Sequence, residues 1–573
     1  MTRITTLLSL CLAAAPVLAQ STAAPAPITP NEIDGHLRFL SSDLLEGRAP
    51  ATRGGRLASE YIAAQLRVFG VEPGGNGSYF QKVPIDIVSA DRATIRIAAT
   101  ARAVECASNP PQGLSPVTAV EAARARSCRT ATYRYPEDVV VWAGSAAESS
   151  AVRGELVFVG YGSTAPEYKW NDFKDVDVRG KVLLILVNDP PAPRDEPELF
   201  GGKAMTYYGR WTYKFEEAER RGAAGALIVH TTERAGYPWH TVVGSWAKEQ
   251  RMLPRDPNLP APLGVRGWIT DSAATALLKQ AGLDLGQLRT RAESRDFVPV
   301  ATDILVNMSF RNTVEHLESE NVVGIVRGRD PMLRDQFVAF SSHWDHLGVG
   351  PAVDGDSIYN GALDNASGVA DLLAVARVAQ QSPRPRRSLL FVFVTAEESG
   401  LLGSEFFGQN PTAPADKIVA NINVDGGNIL GRVRDLTVLG SNKSSLGPAL
   451  ARMLGTRGMR ITPEEHPERG YFYRSDHFSF AKVGIPSISI GAGTDYIGRP
   501  KGWGIEQNED YTAKRYHQPS DAYRPDFDLT GAAQLADIVL RFGTSVANST
   551  TVPTWNPEAE FREVREKSLR ASL

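Results

Sequence analysis

The sequence predicts an α/β fold: a mostly parallel central sheet with helices on both faces, interrupted by a β-rich segment. Two features carry this. Beyond about Glu315, apolar runs alternate with amphipathic stretches, giving strand Phe337–Ser342, helix Gly368–Ala379, strand Leu389–Thr395, helix Gly400–Gly408 and strand Ile418–Val424. Such alternation lays helices over parallel strands. From about Pro136 to Pro299, β-branched runs are instead separated by Gly, Pro and Asn, the texture of a compact β-rich unit.

Each element has its own warrant. Ile33, Leu37, Leu40, Leu44 and Leu45, then Leu57, Tyr61, Ile62, Leu66 and Phe69, recur mainly three and four residues apart, which predicts two amphipathic helices. The turn-rich Glu46–Gly55 joins them, and Gly70 ends the second. In the β-rich segment, Leu156–Val159, Val182–Val187 and Ala226–Val229 read as buried strands, with a helix from Lys214 to Arg221 that stops at Gly222. Later strands are expected at Leu436–Leu439 and Ile485–Ile490, and helices near Leu446–Leu454 and Leu529–Arg541. The expected partition is a signal peptide at 1–19 and a disordered mature N-terminus at 20–30. A first part of the main domain follows at 31–135, the β-rich insert at 136–310, the rest of the main domain at 311–550, and a charged tail, solvated or helical, at 551–573.

The chain's 573 residues exceed what one core usually organises. Hydrophobic and charged fractions of 42% and 22%, with a formal charge of −3, argue against a nucleic-acid binder. Arg3, an apolar stretch from Ile4 to Leu18 and the small-x-small exit Val17-Leu18-Ala19 read as a secretory signal cleaved near Ala19. Leu10 before Cys11 disfavours a lipoprotein signal. No later run approaches the roughly 20 apolar residues of a membrane span, so the expectation is a soluble protein, periplasmic or secreted, without membrane insertion. Cys106 and Cys128 then remain, and in an oxidising compartment one disulfide is the simplest outcome, two free thiols the alternative.

The chemistry is concentrated in Ser342-His343-Trp344-Asp345-His346, Asp364-Asn365-Ala366-Ser367-Gly368 and Glu397-Glu398, completed by Asp425 and by His517 in Tyr516-His517-Gln518-Pro519-Ser520-Asp521. His343, Glu397, Glu398 and Asp425 fall at or just after predicted strand ends, where open α/β sheets build their sites. Two neutral imidazoles and three carboxylates, His343, His517, Asp364, Glu398 and Asp425, carry −3, which two zinc ions and a bridging hydroxide would balance. Taken singly, Asp364 is an ordinary helix N-cap and Glu397-Glu398 an ordinary solvated pair; together, and directly after Phe391-Val392-Phe393-Val394, they are poorly explained that way. His346, His466 and His477 are read as lying outside the ligand set, with His346 lining the cleft. Gly160-Tyr161-Gly162 matches a loose dinucleotide fingerprint but opens no helix, and no Gly-x-Ser-x-Gly elbow or His-Glu-x-x-His helix is present.

These motifs, in this order from Ser341 to Asp521, resemble zinc peptidase family M28, which includes bacterial aminopeptidases and glutamate carboxypeptidase-like enzymes. The insert resembles that family's protease-associated domain through Asp177-Val178-Arg179-Gly180-Lys181-Val182 and Lys214-Phe215-Glu216-Glu217-Ala218 leading to Gly222. The resemblance implies a zinc exopeptidase-like fold with two zinc ions per chain, cobalt or manganese being possible in the same ligands. It implies that Asp364 bridges them, with His343 and Asp425 on one and Glu398 and His517 on the other. Glu397 would be the general base, Asp345 the group that fixes the His343 imidazole, and Tyr516 the donor to the oxyanion. The implied activity is hydrolysis of the N-terminal bond of a peptide, by a monomer or homodimer. A carboxypeptidase or dipeptidase is the rival, with Arg474, beside Tyr473, clamping a substrate carboxylate; a non-catalytic receptor-like protein is a second. The long interval between His343 and Asp364, filled by Gly348 to Tyr359, is expected to be a loop at the mouth of the site.

Overall fold

The structure is a computed structural model that describes residues 26–101 and 130–571. The expected signal peptide, Cys106 and Cys128 lie outside those residues. At its centre four strands run parallel, in the spatial order Ser388–Val394, Phe337–His343, Ile418–Asn423 and Ser487–Ala492. Antiparallel neighbours close both sides: Val300–Val326 lies against the first, and Asp435–Leu439 against the last.

Every residue of Phe337–His343, Ser388–Val394 and Ile418–Asn423 is buried, as a sheet covered on both faces requires. The two-residue alternation sorts their side chains. Val338, Phe340, Leu389, Phe391 and Phe393 pack with Ile33, Leu37, Ile62, Leu66, Leu372 and Val539 from the helices Pro30–Leu40, Arg53–Phe69, Gly368–Gln381 and Thr530–Asn548. Phe337, Ala339, Leu390, Val392 and Val394 pack on the other side with Phe407 and Phe480, from Leu402–Gln409 and His477–Lys482. The N-terminal helices start and stop as the sequence suggests: Thr29 and Thr52 cap with their side chains, and Gly70 ends the second in a left-handed conformation, φ 77°.

A second sheet forms the β-rich unit. Its strands run in the order Thr130–Thr132, Arg96–Ala101, the first half of Val300–Val326, Ser149–Phe158, Val182–Leu186, Gly225–His230, Val265–Thr270 and Val139–Ala143. Arg96–Ala101 and Thr130–Thr132 precede the expected 136–310 segment, so this sheet draws on chain upstream of it. Val300–Val326 runs through both sheets. Gly160 and Gly162, both at φ 59°, form a turn in which the Gly162 N–H donates to the Val159 carbonyl (2.9 Å), so the fingerprint-like run opens no helix. The helix Trp211–Arg220 buries Lys214, whose Nζ donates to the Tyr161 carbonyl (2.6 Å).

Two expected segments take definite form. The 348–359 segment, expected as a loop, is a β-hairpin, Gly348–Val353 against Asp356–Tyr359. The charged C-terminal stretch is docked: Trp555 and Phe561 are buried beside Phe472 and Phe478. In the terminal helix Arg562–Ala571, the Arg565 guanidinium donates to the carbonyls of Ala415 (2.9 Å) and Ile418 (3.0 Å).

Close packing on Phe340 makes a prediction. Gly543, within the helix Thr530–Asn548, leaves room for that ring: a Cβ there would sit 2.2 Å from Phe340 Cζ. Gly→Ala in a helix ordinarily stabilises by about 1 kcal/mol. Here Gly543→Ala should instead destabilise by about 1–3 kcal/mol through overpacking, seen as a lowered thermal midpoint; a raised midpoint would contradict the packing described.

Candidate metal centre

The parallel strands deliver the site at their carboxyl ends. His343 is the last residue of its strand, Asp425 follows Ile418–Asn423 by two residues, and Glu397 and Glu398 follow Ser388–Val394. Ala396, ahead of the glutamates, has φ 54°, and His517 has φ 58°. Such left-handed conformations at non-glycine residues are strained and cluster where side chains must be aimed.

The five residues expected to share metal ions converge. His343 Nε2 lies 3.3 Å from Asp364 Oδ1 and 3.2 Å from Asp425 Oδ1. His517 Nε2 lies 3.4 Å from Asp364 Oδ2 and 3.0 Å from Glu398 Oε2. Each oxygen of Asp364 therefore faces a different imidazole, the geometry of a carboxylate shared between two positions. Glu397 borders this cluster; burial pushes its carboxyl well above the usual range, helped by Glu398, Asp425 and Asp476 and opposed by His343. Tyr516 stacks on the His517 ring, with centroids 3.9 Å apart, and remains half-exposed. Its phenol is held protonated by burial and by the charges of Asp364 and Glu398, so it can donate a hydrogen bond.

Other expected residues sit differently. The Asp345 carboxylate accepts from the backbone N–H groups of Glu397 (3.1 Å) and Glu398 (3.4 Å). It is 3.8 Å from His343 Nδ1, and the nearer acceptor for that nitrogen is Asp345's own carbonyl oxygen at 3.2 Å. Asp345 thus sets the glutamate turn by its side chain and the imidazole by its backbone. Tyr473, expected to touch substrate, is buried, its hydroxyl donating to Glu560 Oε1 (2.6 Å) and accepting from Lys443 Nζ (3.0 Å). Arg474 is exposed, its guanidinium over the Tyr471 ring.

Four residues outside the expected set hold the site together. Asn365 Nδ2 donates to Ser342 Oγ (3.0 Å) and to the carbonyls of His343 (3.2 Å) and Val424 (3.3 Å), while its Oδ1 accepts from Gly426 N–H (2.8 Å). Asp521 accepts from the N–H groups of Leu363 (3.0 Å) and Asp364 (3.1 Å). His346 Nδ1 is 2.7 Å from Glu398 Oε1. Arg48, 1% exposed, donates to the carbonyls of Leu40 (2.6 Å), Trp344 (2.9 Å), Gly361 (3.0 Å) and Asn360. Burial pulls its guanidinium down to about 10 against the opposing charges of Asp345, Asp364, Asp521 and Glu398. Asn365, Asp521 and His346 all stand inside the motifs already quoted. Nothing around Arg48 in the sequence marks it.

The donor set fits divalent ions. Four-coordinate zinc with N and O ligands at about 2.0–2.2 Å has ligand-to-ligand edges of about 3.3 Å. The His343 and His517 contacts to carboxylates, 3.0 to 3.4 Å, are of that size. An α/β sheet presenting His and carboxylate oxygens in this way defines a candidate metal-binding site at the carboxyl ends of its strands.

Comparison with known proteins narrows the class. Residues 321–543 match the model of peptidase family M28, a stretch that contains His343, Asp364, Glu397, Glu398, Asp425 and His517. A 127-residue stretch is 37% identical to aminopeptidase NAALADL1 of Mus musculus, covering 21% of this chain and 15% of the mouse protein. The probable glutamate carboxypeptidase AMP1 of Arabidopsis thaliana is 25% identical over 311 residues, 48% of this chain and 38% of the plant protein. The matches thus span well under half of these relatives' lengths. The solved aminopeptidase from Aneurinibacillus sp. strain AM-1 aligns over 91% of this chain and 94% of its own, at 18% identity and a TM-score of 0.46.

Arg48 makes the centre's dependence on its support testable. Arg48→Met leaves buried carbonyls unpaired, at about 1–3 kcal/mol each before relaxation, and should lower the thermal midpoint substantially. Arg48→Lys should recover little of it, because an ammonium cannot span the same acceptors. A Lys variant as stable as the native chain would contradict this account.

Proposed function

We propose that this chain is a metal-dependent exopeptidase that hydrolyses the N-terminal bond of peptides at a dinuclear zinc centre. The carrying observation is Asp364, whose two oxygens face His343 and His517 separately. His343 and Asp425 would hold one ion, Glu398 and His517 the other, and Asp364 both; cobalt or manganese would suit the same donors. When bound, such ions supply Lewis acidity for the scissile carbonyl and make water acidic enough to attack at neutral pH.

The chain's own groups do the remaining work. Glu397 takes the proton from the attacking water and returns it to the leaving amine, a task suited to a carboxyl raised by burial. Tyr516 donates to the developing oxyanion. Asp345 holds the backbone of the Glu397-Glu398 turn so that the two carboxylates diverge, one to the proton and one to the metal. Among the described residues no helix is long and apolar enough to cross a membrane, and the proposal includes export to the periplasm or medium.

A second reading, a carboxypeptidase or dipeptidase, has one observation in its favour. Arg474 bears electrostatically on Arg210, whose Nε is buried without a hydrogen-bond partner. Among the described residues no carboxylate lies in an ion pair with either, although Glu464 bears on Arg474 electrostatically, and a planar guanidinium is the group suited to a substrate carboxylate.

Chelation should abolish hydrolysis of aminoacyl amides, and added zinc should restore it. Glu397→Gln should lower kcat by about 10²–10⁴-fold while metal content, measured by elemental analysis, stays at the native level; near-native turnover would remove Glu397 from the mechanism. Peptides with a free N-terminus should be cleaved and N-blocked ones spared. Cleavage of N-blocked peptides that is lost in Arg474→Ala would support the second reading instead.

A further inference from the structure

Three imidazoles reach the carboxylates of this centre, and their distances separate them by role. His343 and His517 stand 3.0 to 3.4 Å from their carboxylate partners, near the roughly 3.3 Å edge of a tetrahedral zinc site. His346 stands 2.7 Å from Glu398 Oε1. That is too short for two ligands of one ion and right for a charge-assisted N–H···O⁻ hydrogen bond. Because an ionised carboxylate only accepts, the proton is on Nδ1. Among the described residues the ring's other nitrogen, Nε2, is buried with no hydrogen-bond partner, so the bond to Glu398 is the ring's one hydrogen bond there.

The surroundings leave the ring no other place. His346 is 1% exposed. Its backbone N–H donates to the Arg48 carbonyl (3.3 Å). Gly361, at φ 55°, lies against its face: a Cβ there would sit 2.5 Å from His346 Cγ. Arg48 in turn holds the Gly361 carbonyl (3.0 Å). The ring meets His517 edge-on, with centroids 5.7 Å apart, so the two imidazoles approach Glu398 from different directions, one at each oxygen.

We propose that His346 is a positioning residue for the second metal position. By occupying Glu398 Oε1 it leaves Oε2 to face the ion beside His517. The inference rests on the dinuclear reading above, and it singles out one of the two positions: among the described residues no hydrogen bond or ion pair joins His346 to His343 or Asp425, whereas one joins it to Glu398, so the Glu398–His517 position should respond.

The test is zinc binding by the full-length chain, depleted with chelator and titrated against a chromophoric competitor. The native chain should bind two ions. In His346→Ala one of the two should weaken by about 10–100-fold, with the other unchanged. His346→Asn, whose side-chain amide places a donor near the position of Nδ1, should recover most of that loss. His517→Ala, lacking a ligand, should lose the same ion altogether, and the thermal midpoint of metal-free His346→Asn should match that of the native chain. Two native affinities in His346→Ala overturn the proposal. So does His346→Asn failing as completely as His517→Ala, which would make His346 a ligand, and so does equal weakening of both positions, which would make its role a general structural one. A native chain that binds no zinc overturns the metal reading itself, and this inference with it.

Discussion

The buried guanidinium of Arg48 is the support on which the acidic centre depends. Asp345, Asp364, Glu398 and Asp521 all bear on it electrostatically, yet none pairs with it directly; its donors are spent on carbonyls of Leu40, Trp344, Asn360 and Gly361. Two like charges 4 Å apart repel by about 4 kcal/mol at an effective dielectric of 20, so a cluster of carboxylates needs positive charge that cannot leave when substrate or metal enters. A guanidinium locked to backbone meets that need. The same bonds join the end of the first helix, the segment after His343 and the turn before Asp364, so charge balance and geometry are supplied by one side chain.

A second layer converts the backbone into aimed ligands. Asp345 accepts from the amides of both glutamates and Asp521 from the amide of Asp364, while Asn365 ties two segments together, donating to the carbonyls of His343 and Val424 and accepting from the amide of Gly426. These bonds act on main chain rather than on the carboxylate and imidazole atoms that the proposal assigns to metal. The imidazoles contribute in the opposite sense. Burial disfavours a proton on His517, but its contacts with Asp364 and Glu398 outweigh that and raise it to about 10. Metal entering between these groups must displace such protons, so binding is linked to proton release.

Much of this was legible in the sequence because strands with both faces buried announce themselves as unbroken apolar runs, and the ligands follow where those runs stop. Phe391-Val392-Phe393-Val394 located Glu397 and Glu398, and the alternation after Glu315 located the sheet. What was not legible depends on partners that leave no side-chain signature. Arg48 binds carbonyl oxygens, which every residue has, and its loop of Gly, Ala and Pro reads only as a turn. His346 carried a signal, a third imidazole next to a ligand motif, but the sequence does not distinguish a ring lining a cleft from one fixed on Glu398. Tyr473 was expected to touch substrate because it stands beside Arg474, and nothing in the sequence signals that Lys443 and Glu560, distant along the chain, enclose its hydroxyl.

The long strand Val300–Val326 decides how the β-rich unit can serve the site. Residues 304–309 pair with Arg96–Ala101 on one edge and with part of Ser149–Phe158 on the other, and 312–322 pair with Phe80–Ala90. Hinge motion between the two sheets at this crossing would have to break ladder hydrogen bonds, each of which is costly to leave unpaired away from water. Further contacts fasten the unit near the acidic turn: Arg251 Nη1 donates to Ser399 Oγ (3.3 Å), immediately after Glu398, and Lys482 Nζ pairs with Glu216 Oε1 (3.0 Å). The β-rich unit is therefore fastened beside the Glu397-Glu398 turn by a shared strand, a hydrogen bond and an ion pair together, so its position relative to the acidic turn is fixed by backbone pairing as well as by side chains.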